Sequence, residues 1–438
     1  MENFASVLKT NLQSLIKEMS QSPEPFVKTP GIDFTRDRKL PFDVVMNLLI
    51  QMGGSDIYSE LLEANGYELE TATTSAFVQQ RDKILPSAFE FVIHEMSEYA
   101  REPQTYRGYR LLASDGSDLN IATNPDDDET YFQTNQDAKG YNLLHLNALY
   151  DLCNRLYVDA LVQPNRCMNE KRALTDMADR SQINDKVIVI ADRNYESYNI
   201  FAHIEEKGWN YVIRVKDINS NGILSALKLP SDDEFDVNIR RVLSRKQTNE
   251  VKANPDIFRY IPNNTTFDYL PVGADGGYPL SFRVVRLKIA DNSYETLVTN
   301  LDKSAFPTTE LKELYQMRWG IETSFRELKY TVGLVNFHSK KREYIVQEIF
   351  ARIIMYNFVE MITSHAVISK SDRKYDYKVN FSVAVRLCRK FLRLFHNALP
   401  PDTVLSLICK NIVPIRPDRT GKRVIRTKTT VSFMYRVA

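Results

Sequence analysis

Apolar residues recur at helical spacing through the first hundred positions of the chain. The segments with this spacing are FASVLKTNLQSLIKEM, PFDVVMNLLIQM and SAFVQQRDKILPSAFEFVIHEM. Breaks that contain Pro, Gly or Asp separate these segments, and the stretch carries no strand-like alternation. The pattern therefore predicts that residues 1–108 are helical.

From Tyr109 onward the chain changes to short strand-like runs. In chain order these runs are YRLLASDGS, YNLLHLNALYD, RLYVDALVQP, VIVIADRNY and NYVIRVK. A tight Leu-Cys-Asn turn joins the second run to the third and predicts an antiparallel hairpin. Helical spacing precedes each of the last two runs, over about residues 170–181 and 197–207. The order β-β-β-α-β-α-β predicts an α/β fold with a ribonuclease-H-like core over residues 109–216 and 303–345.

The rest of the chain divides into a β-rich part and a helical part. Residues 217–302 contain the alternating runs FDVNIRRVL, FRVVRLKIA and YETLVTNL between turns, which predicts a β-rich insertion. Helical periodicity returns at Pro307 and runs as one helix to Tyr330, and a further helix is predicted over about residues 344–364. Residues 346–438 are predicted to form a helical, basic C-terminal region.

Composition and charge narrow the class of protein. The chain has 438 residues, 43% hydrophobic and 26% charged, and is expected to fold as two to four domains. Because no run approaches about 18 consecutive apolar residues and the first residues lack a signal-peptide pattern, we expect a cytoplasmic protein with no membrane partner. The net charge of +1 hides an asymmetry, since residues 386–438 carry twelve Lys or Arg against two Asp. This basic end predicts a polyanionic partner.

Two aspartates end strand-like runs that the predicted core places side by side. Asp115 ends the first run, and Asp192 ends the fourth run, 77 residues later. If the two strands are neighbours, the two carboxylates meet at one edge of the sheet and can bind a metal ion. The alternative is structural, because an Asp after a strand is most often a turn former or a helix cap.

The predicted helix LKELYQMRWGIETSFRELKYTVG carries a polar stripe made of Tyr315, Arg318, Glu322 and Lys329. At 100° per residue these positions fall within about 60° of one another, beside an apolar stripe that can pack on the sheet. Glu322 is therefore expected at the rim of the helix, within reach of the two aspartates. The alternative is a surface helix with i,i+4 ion pairs, such as Arg318 with Glu322 or Glu322 with Arg326.

The spacing Tyr-x2-Arg-x3-Glu-x6-Lys, present here as YQMRWGIETSFRELK, resembles the YREK signature of DDE transposases of the insertion-sequence-four family. The resemblance covers about residues 109–345, and Asp115 in SDGS and Asp192 in ADRNY are part of it. It implies that the catalytic and metal-binding carboxylates are Asp115, Asp192 and Glu322. It further implies a β-rich insertion before Glu322. The residues that would hold DNA phosphates beside the metals are Tyr315, Arg318 and Lys329.

Two positions depart from the family pattern. Asn194 stands two residues after the second aspartate, where the family commonly has Gly, and Asn tolerates this if the position is left-handed. Some family members stack a flipped base on a Trp in the insertion, whereas the strand YETLVTNL has none, so Tyr294 is the candidate to replace it. Trp319 and Arg326 are further candidates for DNA contact, although Trp319 is explained equally well as a packing residue.

The resemblance implies a DNA transposase that moves an insertion sequence by cut-and-paste transposition. Two Mg²⁺ ions would make the nucleophile reactive and neutralise the leaving oxygen during phosphodiester hydrolysis and strand transfer, and Mn²⁺ would substitute in part. The implied partners are double-stranded DNA, as terminal inverted repeats and as target, and a second copy of the chain in a synaptic dimer on the nucleoid. In the N-terminal region, TTSAFVQQRDKI is a candidate second helix of a DNA-binding helix-turn-helix. Two alternatives stay open: a catalytically inactive DNA-binding repressor derived from a transposase, and a stand-alone metal-dependent nuclease.

Overall fold

The computed structural model describes residues 4–36, 38–99, 103–135, 137–218, 220–225, 227–291, 293–366, 375–394 and 398–415. The helices are α1 (Phe4–Gln21), α2 (Phe42–Gln51), α3 (Ile57–Ala64), α4 (Thr74–Arg81), α5 (Ser87–Ser97), α6 (Glu170–Arg180), α7 (Tyr198–Glu206), α8 (Asn249–Ala253), α9 (Thr308–Met317), α10 (Trp319–Tyr330), α11 (Arg342–Ser364), α12 (Phe381–Phe391) and α13 (Pro401–Lys410). The strands are β1 (Arg110–Ile121), β2 (Tyr131–Phe132), β3 (Tyr141–Asp151), β4 (Leu156–Pro164), β5 (Val187–Ala191), β6 (Asn210–Val215), β7 (Phe235–Ser244), β8 (Phe258–Tyr260), β9 (Gly277–Ala290), β10 (Ser293–Thr299), β11 (Tyr377–Val379) and β12 (Ile412–Pro414). Seven of the twelve basic residues behind the polyanion prediction belong to residues 416–438 and lie outside the described residues.

One large mixed sheet lies at the centre of this α/β fold. Its strands follow the order β2-β3-β1-β5-β6-β10-β9-β7-β8, and β4 also pairs with β3. The strand β1 pairs antiparallel with β3 and parallel with β5, and β5 pairs parallel with β6. The predicted neighbourhood of the two strands that precede the aspartates is therefore confirmed, as is the antiparallel hairpin of β3 and β4.

The strands of the region predicted as a β-rich insertion extend this central sheet. β10 pairs antiparallel with β6, β9 pairs antiparallel with β10, and β7 pairs antiparallel with β9. The alternation of apolar and polar residues identified these strands correctly. Their attachment to the core sheet was not predicted, because local alternation contains no information about the partner strand.

Helices cover both faces of the sheet, because side chains alternate along each strand and expose an apolar row on either side. On one face, Leu111 and Ala113 of β1 pack among residues of α9, α10 and α11. On the other, Leu112 of β1 and Val189 of β5 pack among residues of α6 and α7. We call these the α10 face and the α6 face. The N-terminal and C-terminal helices share a continuous hydrophobic cluster with α10 and α11.

The helix α11 lies at the centre of the α10 face and is buried along most of its length. A buried ion pair fixes α4 to it, with Arg81 Nη1 3.1 Å from Glu348 Oε1. Burial alone would raise the pKa of Glu348, but hydrogen bonding to His338 and the charge of Arg81 hold it low, at about 2. No helix in the described part of the chain is long and apolar enough to cross a bilayer.

The predicted secondary structure needs correction at three places. The periodicity predicted one helix from Pro307 to Tyr330, whereas α9 ends at Met317 and α10 begins at Trp319. The short helix α3 lies inside the predicted helical region but in one of the breaks between the segments with helical spacing. The C-terminal region was predicted as helical and also contains the two-stranded pair of β11 and β12, which runs of three residues are too short to reveal by periodicity.

Candidate active site

The sheet brings the two predicted aspartates to the same edge and the same face. The parallel ladder between β1 and β5 ends with Ser114 opposite Ala191, so Asp115 and Asp192 are the next residue on each strand. Asp115 follows Ala113 by two residues and Asp192 follows Ile190 by two, which puts both on the α10 face. Asp115 does not end its strand as predicted, because β1 continues beside β3 to Ile121 after it has lost β5 as a partner.

Short hydrogen bonds fix both aspartates locally. Asp115 Oδ1 accepts from the backbone N–H of Gly116 at 2.9 Å. Asp192 Oδ1 accepts from the backbone N–H of Asn194 at 2.8 Å and so caps the 3₁₀ turn of residues 193–195. Asn194 lies inside this right-handed turn and does not have the positive φ expected for it, so the left-handed explanation of its presence was wrong. The backbone N–H of Asn194 satisfies the capping bond in a right-handed conformation, so glycine is not needed at this position.

Glu322 of α10 is linked to Asp115 through a buried arginine. Arg318 occupies the junction between α9 and α10, where hydrogen bonds between residues three apart replace the regular helical ones. Its backbone stays right-handed, so the stripe predicted from helical periodicity is preserved. Arg318 Nη2 donates to Glu322 Oε1 at 2.8 Å, and Nη1 lies 3.8 Å from Asp115 Oδ2. Only 7% of Arg318 is exposed, which distinguishes this pair from a solvated i,i+4 ion pair.

The pKa of Asp115 responds to the charges of the other two carboxylates. Burial raises the pKa of Asp115 to about 6, while the bond from Gly116 and the charge of Arg318 act in the opposite direction. The charges of Asp192 and Glu322 contribute further to the raised pKa. Arg318 lies between two of these carboxylates, and its single positive charge does not outweigh the effect of burial on Asp115.

The other predicted residues of the α9–α10 segment lie around this group in different ways. Tyr315 is 5% exposed, and burial raises its pKa while the charge of Arg318 counteracts that effect. Trp319 is 55% exposed, and its ring centroid lies 5.1 Å from the guanidinium carbon of Arg318. Lys329 Nζ donates to the backbone carbonyl of Asp118 at 2.7 Å. Arg326 is exposed to solvent one turn beyond Glu322.

Tyr294 is not brought to this group of residues. On β10, Leu297 packs on the α10 face and Val298 on the α6 face, so Tyr294 belongs to the α6 face by alternation. Its ring centroid lies 3.9 Å from the guanidinium carbon of Arg286 on the neighbouring strand. A base contact by Tyr294 beside the three carboxylates is therefore not supported.

Two groups of charged residues near the site were not predicted from the sequence. On the α10 face, Arg214 Nε lies 3.3 Å from Glu295 Oε1, and the charge of Arg318 acts on Glu295. The signal available in the sequence was the alternation of side chains along β6 and β10, which places both residues on the α10 face.

On the α6 face, behind Asp115, His145 Nδ1 lies 2.7 Å from Asp118 Oδ1, and His145 Nε2 lies 3.1 Å from Glu170 Oε1. A side chain at Gly116 would collide with His145, since its Cβ would lie 2.2 Å from Nε2. The glycine of the SDGS segment is therefore required for the strand that carries Asp115 to lie against this histidine.

Away from these two groups, Glu90, His94 and Asp159 have ligand atoms within 4.8 Å of one another. Arg180 already lies among them, with Nη2 2.8 Å from Glu90 Oε1 and 2.6 Å from Asp159 Oδ1. Because a permanent cation neutralises these carboxylates, the group is best explained as an ion-pair network between α5, β4 and α6.

We predict that Asp115→Asn stabilises the metal-free protein at high pH. A folded-state pKa raised above the ordinary 3.8 means that stability is complete at low pH and is lost as the pH rises through about 6. The neutral amide escapes this loss, so at pH 8 the variant should be more stable by about 1–3 kcal/mol. Urea unfolding at pH 5 and pH 8 in the presence of a chelator measures the difference, with Asp128→Asn at an exposed position as control. A pH-independent difference, or one equal to the control's, would contradict the prediction.

Comparisons with known proteins identify one family and a relative of known name. A family model described as a transposase DDE domain matches residues 106–358, which is more than half of the chain. The chain is similar to transposase InsG of insertion sequence element IS4 from Escherichia coli (strain K12), with 27% identity over 143 residues. This match covers 30% of the chain and 31% of InsG, so it spans about a third of that relative's length.

A solved structure is also similar, that of the piggyBac transposase synaptic complex with hairpin DNA. The TM-score is 0.42 at 11% sequence identity, over 94% of this chain and 86% of that chain.

Proposed function

Because the chain belongs to the transposase DDE domain family, we propose that it catalyses cut-and-paste transposition of an insertion sequence. The observation that carries the proposal is that Asp115 and Asp192, from adjacent parallel strands, lie on the same face of the sheet as Glu322 of α10, and that the charges of Asp192 and Glu322 both act on Asp115. The strand order β4-β3-β1-β5-β6 supports a ribonuclease-H-like core for this site. The N-terminal helical region, the extended sheet and the basic C-terminal region are proposed to contact DNA around it.

The residues at the site fit divalent metal ions. The three carboxylates offer only oxygen ligands, which Mg²⁺ prefers, and the raised pKa of Asp115 indicates that they lack sufficient positive charge. Asp115, Asp192 and Glu322 would hold the ions, of which two Mg²⁺ are proposed and Mn²⁺ as a partial substitute. Bound there, the metal supplies a reactive water or 3′-hydroxyl at neutral pH and neutralises the leaving oxygen.

The protein's own basic residues would position the scissile phosphate. Arg318 is buried between Asp115 and Glu322, and its Nε has no hydrogen-bond partner among the described residues. A planar guanidinium with a spare donor suits a phosphate oxygen. Lys329, about two turns after Glu322 on α10, would add a point charge. The ring of Tyr315 would hold the guanidinium of Arg318 in place. Double-stranded DNA, as terminal repeats and as target, is the proposed substrate, bound by two copies of the chain.

The test is a cleavage and joining assay with the purified full chain. A plasmid that carries the element between its own ends is incubated with the protein and Mg²⁺, and the expected products are the excised element and its insertion into a second plasmid. Excision without joining would favour a nuclease. Tight binding to the element ends without any metal-dependent nicking would favour a repressor and overturn the proposal.

A further inference from the structure

A basic cavity lies among the helices on the α10 face, apart from the carboxylate site. It encloses about 400 Å³ between the α2–α3 loop and α12. The helix α12 is amphipathic, with Ala384, Val385 and Cys388 in the hydrophobic core. Its opposite side supplies the basic lining of the cavity, which is completed just after the helix end by a fourth residue. These residues are Arg386, Arg389, Lys390 and Arg393.

The acidic residues that line the cavity are already engaged. Arg393 pairs with Glu63. Glu60 Oε1 accepts from the backbone N–H groups of Gly53 at 2.8 Å and Ser55 at 3.0 Å, and thereby closes the α2–α3 loop. The lining therefore contains four cations against two carboxylates. Of the cations, Arg386 and Lys390 are exposed and form no ion pair with any residue that the structure describes.

Arg389 connects the cavity to the backbone just after α10. Its Nη2 donates to the backbone carbonyl of Val332 at 2.7 Å, and its Nε has no hydrogen-bond partner in the described chain. Burial, together with the charges of Arg352 and Arg386, lowers the pKa of Arg389 to about 9, against the effect of Glu60. The two carboxylates offset only part of the charge of the four cations, so the cavity keeps an excess of positive charge, which favours binding of an anion.

The position of the cavity fits DNA that passes over the carboxylate site. Val332 lies just past the end of α10, ten residues after Glu322, and the helical rise of 1.5 Å per residue puts the separation at about 15 Å. At 3.4 Å per nucleotide of one strand, this length corresponds to about four base pairs. We propose that the cavity binds phosphate groups of the DNA backbone about four base pairs from the scissile bond. The inference rests on the proposed function, because the path of the DNA is taken from the carboxylate site. Binding of DNA in the cavity can still be measured without catalysis.

The test compares a cavity variant with a variant of equal charge change elsewhere. Arg386→Gln/Lys390→Gln removes two exposed charges from the cavity, and Lys186→Gln/Lys303→Gln removes two exposed charges near the sheet edge opposite Asp115. Binding of a nonspecific duplex is measured across a salt series in the presence of a chelator, so a protein without nuclease activity still gives a result. Because each neutralised phosphate contributes a slope of about −0.9, the cavity variant should flatten the log-affinity slope by about 1–2. The control variant should keep the wild-type slope.

Three outcomes would overturn the proposal. An unchanged slope in the cavity variant would show that DNA does not bind in the cavity. Equal flattening in both variants would show that the slope depends on the net charge of the protein and not on the cavity. The third arm uses inorganic phosphate alone. If phosphate raises the melting temperature of the wild type but not of the cavity variant, while both keep the same DNA slope, the cavity binds free phosphate. If the wild type shows no metal-dependent cleavage while the cavity variant still flattens the DNA slope, the proposed function fails and the DNA-binding cavity stands.

Discussion

Replacing any one of the three site carboxylates is expected to lower the rate of metal-dependent DNA cleavage by a factor on the order of 10³ or more. The changes are Asp115→Asn, Asp192→Asn and Glu322→Gln, which keep side-chain size and remove the charge. The reason lies in the geometry, because the two aspartates directly follow the last pair of one parallel ladder and Glu322 lies on the same face of the sheet. A site built from three elements loses its function when any ligand is lost.

The cleavage rate on an element-end duplex in Mg²⁺ measures this effect, and binding in the absence of metal should survive in all three variants. Glu313→Gln, an exposed carboxylate on α9, is the matched control and should cleave at the wild-type rate. Double variants should be no slower than the slowest single one, since residues that act as a unit fail together. A carboxylate variant that cleaves as fast as the wild type would remove that residue from the site.

Arg318→Lys should lower cleavage by about 10²–10³-fold although it preserves the positive charge. Arg318 is buried and touches Glu322 through one nitrogen while a second lies 3.8 Å from Asp115. A lysine ammonium cannot reproduce this planar fork, so both the spacing of the carboxylates and the hold on a phosphate would change. Steady-state cleavage rates, together with melting temperatures, measure the two consequences separately.

Arg240→Lys, at an exposed position of β7, is the control for loss of a guanidinium in general. It should leave both cleavage and melting temperature unchanged. If Arg318 formed only a solvated ion pair with Glu322, Arg318→Lys would alter stability by a few tenths of a kcal/mol and leave the rate intact. That result would remove Arg318 from the proposed mechanism.

Much of the site could be predicted because its geometry follows from short-range rules. A run of β-branched residues that ends at Asp192 identifies a buried strand, and helical periodicity places Arg318 and Glu322 on one stripe whether or not the helix is interrupted. The break between α9 and α10 was not predictable. A single 3₁₀ junction barely changes the spacing of the apolar residues, so the sequence pattern looks like that of one continuous helix.

The failures have a common cause in long-range pairing. The face on which Tyr294 lies depends on the register of β10, and a shift of one residue in register would move it to the other face. Likewise, the contacts of His145 with Asp118 and Glu170 join β3, β1 and α6, and no local pattern indicates them. The same holds for the basic cavity, where a loop after α2 meets a helix more than three hundred residues later.

Metal dependence of cysteine variants tests the central claim most directly, namely that Asp115, Asp192 and Glu322 bind the catalytic metal. A thiolate is a softer ligand than a carboxylate, and Mn²⁺ accepts sulfur more readily than Mg²⁺. We therefore expect Asp115→Cys and Asp192→Cys to be inactive in Mg²⁺ and to regain part of their cleavage activity in Mn²⁺. The alanine variants of the same residues should remain inactive with either metal. Cysteine variants that cleave at the wild-type rate in Mg²⁺, or that gain no more from Mn²⁺ than the alanine variants, would contradict the assignment.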